Sequence, residues 1–161
     1  MAETSLEQCC RVLADSEGLP DLVRALARHQ LKEPENLDCT IRLACTLFQC
    51  FAYNASRTVL ECRISEDQDY CAAKQILSAA CFVGVGDLPA VQLSLPSLGS
   101  VDSEGKWVKE TLDEIYQSAN TAFNDDNLEL SRSLYNIALP YDPRVANINK
   151  GTLGESPGWQ G

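Results

Sequence analysis

Basic side chains are scarce in this chain. Lys and Arg number 13 against 23 Asp and Glu over 161 residues, a formal charge of −10 at pH 7. That balance argues against nucleic acid and anionic membrane as partners, because both are held through Lys and Arg. Long apolar runs are missing too, none approaching the ~18–20 residues of a membrane span. Residues 1–10 lack the basic and apolar blocks of a secretory signal, so a cytoplasmic or nuclear location is expected. Histidine occurs once, as His29, which leaves little general-base capacity near neutral pH. There is no Cys-x-x-Cys pair, and the spacings 39/45/50 and 62/71/81 match no zinc template. Gly84-Val85-Gly86 lacks the third glycine and the following Lys-Ser/Thr of a phosphate loop. Strand patterns are nearly absent: Val91, Leu93 and Leu95 alternate, and Pro96 ends them.

What is present is helical periodicity and enough apolar content, 45%, to build one core. We expect a single all-α domain over 1–150 and a flexible tail over 151–161. Eight cysteines lie in the first half of the chain; without a secretion signal they read as reduced, small core residues. Thr4-Ser5-Leu6-Glu7 forms a capping box ahead of a helix containing Leu6, Cys9, Cys10 and Leu13. Pro20 suits the first position of a second helix running to about His29, where a cation would meet the helix dipole. Asn36 caps the clearest element, in which Leu37, Ile41, Ala44, Phe48 and Phe51 recur at helical spacing. Leu43, Leu47 and Cys50 widen that stripe around most of the circumference, so this helix is expected between neighbours.

A short helix follows with Val59 and Leu60, then one with Tyr70, Ala73, Leu77 and Ala80 in line. Asp67 and Asp69 read as caps at its start, and Asp125 and Asp126 as caps later, since neither run has the register of a calcium loop. Gly84 to Gly105 reads as a long Gly/Pro-rich loop with room for one short helix near Pro89–Leu93. Two long helices are expected after it, Lys106–Phe123 and about Asn127–Leu139. Pro140 stops the second, and Asp142-Pro143 can cap one further turn through Val145 and Ile148.

Two stretches look alike. Gly18-Leu19-Pro20-Asp21-Leu22-Val23 and the helix ending Leu47-Phe48-Gln49-Cys50 are echoed by Asp87-Leu88-Pro89-Ala90-Val91 and Leu134-Tyr135-Asn136-Ile137-Ala138. Residues 18–62 resemble an armadillo repeat, and 87–148 carry the pattern more weakly. The resemblance implies an armadillo/HEAT-like right-handed stack of about two degenerate units, the alternative being an irregular helical array. It also implies a concave groove in which an Asn near the end of the third helix bonds an extended peptide. Asn136 matches that position and Gln49 occupies it in the first unit. The family's groove Trp is replaced by Cys45 and Arg132, and Arg132 would suit an acidic ligand.

The remaining candidate surface is acidic. Residues 101–130 hold eight acidic side chains against Lys106 and Lys109, a local balance of −6. Glu110, Asp113, Glu114 and Gln117 recur on one side of their helix, opposite Val108, Leu112 and Ile115. This is either a solvated face that keeps the protein soluble or a docking surface for a basic partner. With no catalytic residue, metal or cofactor assigned, the expected role is a non-enzymatic adaptor or scaffold that presents a helical surface to another protein. The alternative is a self-associating structural subunit, motivated by the apolar residues of Leu88–Leu98.

Overall fold

The computed structural model describes residues 4–97, 99 and 101–142. Among them are eight α-helices and no strand: α1 (Ser5–Ala14), α2 (Asp21–Lys32), α3 (Leu37–Gln49), α4 (Tyr53–Cys62), α5 (Gln68–Val85), α6 (Leu88–Ser94), α7 (Lys106–Asn124) and α8 (Leu128–Ala138). The all-α expectation holds. The turn through Val145 and Ile148 and the tail from 151 lie outside the described residues.

Most starts follow local chemistry. Thr4 accepts the Glu7 amide at 3.1 Å, although the Glu7 carboxylate takes the Thr4 hydroxyl instead of a backbone N–H. Asn36 accepts from Cys39 N at 3.0 Å and Asp67 from Tyr70 N at 3.0 Å. Pro20 sits one place earlier than expected, as the N-cap of α2, and α2 runs past His29 to Lys32. Its extra turn is secured by Gln30, which is buried. The Gln30 amide donates to the carbonyls of Glu33 at 3.0 Å and Asn36 at 3.3 Å, and its oxygen accepts the Thr40 hydroxyl at 2.6 Å. A buried amide left unpaired would be costly; this one ties the α2–α3 connector to α3.

Consecutive helices pair as hairpins, α1 with α2, α3 with α4, α5 with α6 and α7 with α8, and α5 also touches α3, α4, α7 and α8. It is therefore α5 that lies at the centre. Tyr70, Ile76 and Leu77 are fully buried along it, joined by Leu43 and Leu47 of α3, Val59 and Leu60 of α4, and Val108 and Ile115 of α7. Cys10, Cys39, Cys45 and Cys81 are buried in the same core, while Cys9, Cys50, Cys62 and Cys71 are partly exposed, and all eight are unbridged. The expected loop from 84 to 105 is shorter than it read. Helix α5 continues to Val85 and α6 follows within two residues, because Gly86 adopts the left-handed backbone (φ 80°) that ends one helix without steric cost and lets the next begin.

Similar local geometry recurs along the chain at spacings that the sequence pattern did not reveal. Three hairpin turns share one hydrogen-bond pattern. In α3–α4, Ala52 N donates to Leu47 O and Phe51 N to Phe48 O. In α5–α6, Asp87 N donates to Phe82 O and Gly86 N to Val83 O. In α7–α8, Asn127 N donates to Ala122 O and Asp126 N to Phe123 O. Phe51, Gly86 and Asp126 occupy the left-handed position of each, 35 and 40 positions apart. The helices also cross alike: Ser56 Oγ donates to Ala44 O at 2.7 Å, and Ser131 Oγ to Ala119 O at 2.9 Å, each pair 12 residues apart. Such bonds form only where two helix backbones approach closely, which Ala opposite Ser permits. The recurring local element is thus a two-helix hairpin. Gln49 lies at the end of a first helix and Asn136 within a second helix, so the two do not occupy equivalent positions.

Candidate functional site

The α3–α4 and α7–α8 hairpins meet along a seam, and the surface opens there into a cleft of about 270 Å³. Its floor is apolar, from Phe48, Ala122, Leu130 and Leu134, with Phe51 and Tyr53 at one side. Its polar groups are Gln49, Glu114, Gln117, Asp125 and Asn127, among others. A second depression continues the seam past Leu22 and Leu26 of α2 and includes Arg42, Glu110, Asp113 and Glu114. Gln49 and Glu114 belong to both. The Gln49 amide donates to Glu114 Oε2 at 2.8 Å and forms a low bridge between the two halves.

Phe51 is the unusual residue of the cleft. Its ring is 72% exposed, and its backbone sits at φ 65°, where a bulky side chain is strained. It was expected as the last member of the α3 apolar stripe. The helix ends at Gln49, and the turn instead carries Phe51 out beside the cleft mouth. Tyr53 holds it there edge-on, with ring centroids 6.2 Å apart, and packs on Phe48 at 5.6 Å. The Tyr53 ring also lies flush on α5 at Gly84, where an added Cβ would fall 2.5 Å from it.

The acidic residues of α7 are not an open solvated face. Glu110 reaches Arg42 at 3.7 Å, and Arg42 in turn contacts Asp38 at 3.5 Å. Burial raises the carboxyl pKa of Glu114, an effect partly opposed by the hydrogen bond from Gln49 and reinforced by Asp113 and Glu110. Burial also raises that of Glu110, with Asp38 adding to it and Arg42 opposing. Glu114 Oε1 is buried and accepts no hydrogen bond. The start of α7 is fixed from a distance. Asp69, in the first turn of α5, accepts the amides of Trp107 at 2.8 Å and Val108 at 3.0 Å. Asp69 therefore caps α7, a task its neighbourhood in sequence did not reveal; Asp67 caps α5.

Of the sequence candidates, the structure brings Gln49, Glu110 and Glu114 together on the seam. Arg132, half-buried, and Asn136, exposed, stand on α8 and line neither depression. Phe51, Tyr53 and Leu130 were missed as site residues, while Asp125 belongs to the acidic stretch already singled out over 101–130. For Phe51 a signal existed in the 75-residue offset that carries Ala44 to Ala119 and Ser56 to Ser131, because the same offset sets Phe51 against the turn residue Asp126. Thiol chemistry is held down: burial pushes Cys9 up to about 11, Cys10 to about 12 and Cys81 to about 11, so these are protonated at neutral pH. Neither a family model, nor a curated protein, nor a solved structure matches the chain.

Proposed function

We propose that this chain is a non-enzymatic protein–protein interaction module that takes its partner on the α3/α7 seam, with Phe51 as an anchor. The observation that carries this reading is Phe51 itself, an aromatic ring kept exposed on a strained backbone at the rim of an apolar cleft. Strain at one exposed position is retained when something other than the fold uses the side chain, and aromatic anchors dominate protein interfaces. The cleft, about 270 Å³ and continued by a second depression along the seam, has room for an apolar side chain of a partner. Two-helix units 35 and 40 positions apart resemble helix–turn–helix arrays of the tetratricopeptide kind more closely than three-helix armadillo units. Such arrays present extended surfaces to their partners; here α3 and α7, the first helices of hairpins separated in sequence by α5–α6, meet directly along the seam.

The test is selection of a random dodecapeptide library on the purified protein, followed by rebinding to Phe51→Gly. Glycine relieves the left-handed strain, so this variant should unfold about 1 kcal/mol later than the parent, while recovered peptides lose at least tenfold in affinity. A variant that unfolds earlier and binds the peptides unchanged would mean that the ring serves the fold. A second reading, self-association as a structural subunit, is favoured by α6, where Leu88 is 63% and Leu93 88% exposed. Sedimentation at micromolar concentration decides it, since a concentration-independent monomer removes that reading.

A further inference from the structure

We infer that the segment docking on the seam carries Lys or Arg beside an apolar side chain; this rests on the interaction-module reading above. The charged lining is one-sided. Glu114 and Asp125 border the apolar cleft, and Glu110, Asp113 and Glu114 border its continuation. Arg42 is the one cation among the described lining residues, and it is already engaged by Asp38 and Glu110. The apolar pocket of Phe51, Tyr53, Leu130 and Leu134 therefore opens beside a negative strip, which matches an apolar anchor with a basic neighbour.

Glu114 locates the cation. One of its oxygens is bonded only by the neutral amide of exposed Gln49, and the other, though buried, accepts nothing. An unpaired carboxylate oxygen in that setting is a standing cost. A guanidinium or ammonium entering from the partner displaces the Gln49 amide and supplies donors to both oxygens. The Gln49 amide serves one oxygen and leaves the charge uncompensated, whereas a cation adds the attraction of opposite charges and, as a guanidinium, a two-pronged geometry. A second copy of this chain is a poor occupant, because two bodies of charge −10 repel on approach.

The dodecapeptides recovered above are the probe, each compared with a counterpart in which every Lys and Arg is Gln. The recovered set should be enriched in Lys or Arg next to Leu, Ile or Phe, and the neutral counterparts should bind about tenfold more weakly. Glu114→Gln, which keeps the side-chain shape, should lose a similar factor without lowering the unfolding temperature. Exposed Asp125→Asn should lose about threefold, and Glu17→Gln, which makes the same charge change far along the chain in a loop, should lose nothing. Peptides that need Phe51 but are neutral or acidic, or that ignore Glu114→Gln, would overturn the basic-segment inference and leave the module reading standing. Equal losses with Glu17→Gln would reduce the effect to overall charge and overturn it as well. Peptides that bind Phe51→Gly unchanged would overturn both, and a dimer abolished by Phe51→Gly would give the seam to a second copy instead.

Discussion

In the α7–α8 turn, Asp126 holds the left-handed position, and the Asn127 side chain accepts Leu130 N to cap the next helix. In the α5–α6 turn Gly86 and Asp87 do the same, with Asp87 accepting Ala90 N at 3.3 Å. The α3–α4 turn follows the same backbone path with Phe51 and Ala52, and α4 has no side-chain cap. Two of these turns obey the preferences of the backbone and the third violates them at both positions. Asp tolerates the left-handed region and Gly is at home in it, whereas Phe there costs on the order of 1–2 kcal/mol. A missing N-cap costs about 1 kcal/mol more. The packing around the turn offsets this: Phe48 and Tyr53 interlock, Tyr53 seats on Gly84, and Ser56 pins α4 to α3. The hairpin that bears the strained turn forms one wall of the seam, opposite the acidic residues of α7, so the departure from local rules and the candidate site coincide.

The largest effect that would break this likeness is on the helix crossings. Ala44→Leu and Ala119→Leu each force a bulky side chain between backbones joined by a serine–carbonyl bond. Each should cost about 3 kcal/mol in urea unfolding; a tolerated leucine at either place would show that the two crossings are not equivalent. A smaller effect comes from exchanging turn chemistry. Ala52→Asn should stabilise by about 1 kcal/mol and Asn127→Ala should destabilise by about as much, both read as shifts in thermal midpoint. If Ala52→Asn gains nothing, the α3–α4 turn is shaped by its packing and not by its missing cap.

The smallest effect is electrostatic. Burial lifts the Glu114 carboxyl above its ordinary 4.5, so the folded protein binds that proton more tightly than the unfolded chain. The contribution this makes to stability is fully present below the ordinary carboxyl range and is lost as pH rises through the raised value. Glu114→Gln, permanently neutral, should therefore raise the unfolding midpoint slightly at about pH 7, and the gain should fade toward about pH 4. A gain independent of pH would place its origin elsewhere than in the ionised carboxylate.

The sequence by itself determined the helices and most of their starts. Caps and apolar periodicity act within a few residues, so Asn36 and Asp67 announce their roles locally, whereas Gly86 read as part of a loop until the structure carried α5 up to it. It also determined the acidic character of α7 and the apolar breadth of α3, since both follow from spacing along one helix. Tertiary structure alone decided which helices meet. Asp69 caps a helix 38 residues away, Glu114 faces Gln49 across 65 residues, and α5 rather than α3 takes the centre. These pairings depend on which faces of several helices pack together, and no local pattern encodes that choice. Phe51 shows the limit most plainly. Its apolarity assigned it to a core stripe, but the turn that follows Gln49 reverses the chain and leaves the ring in solvent, at the edge of a cleft that exists only when two distant hairpins come together.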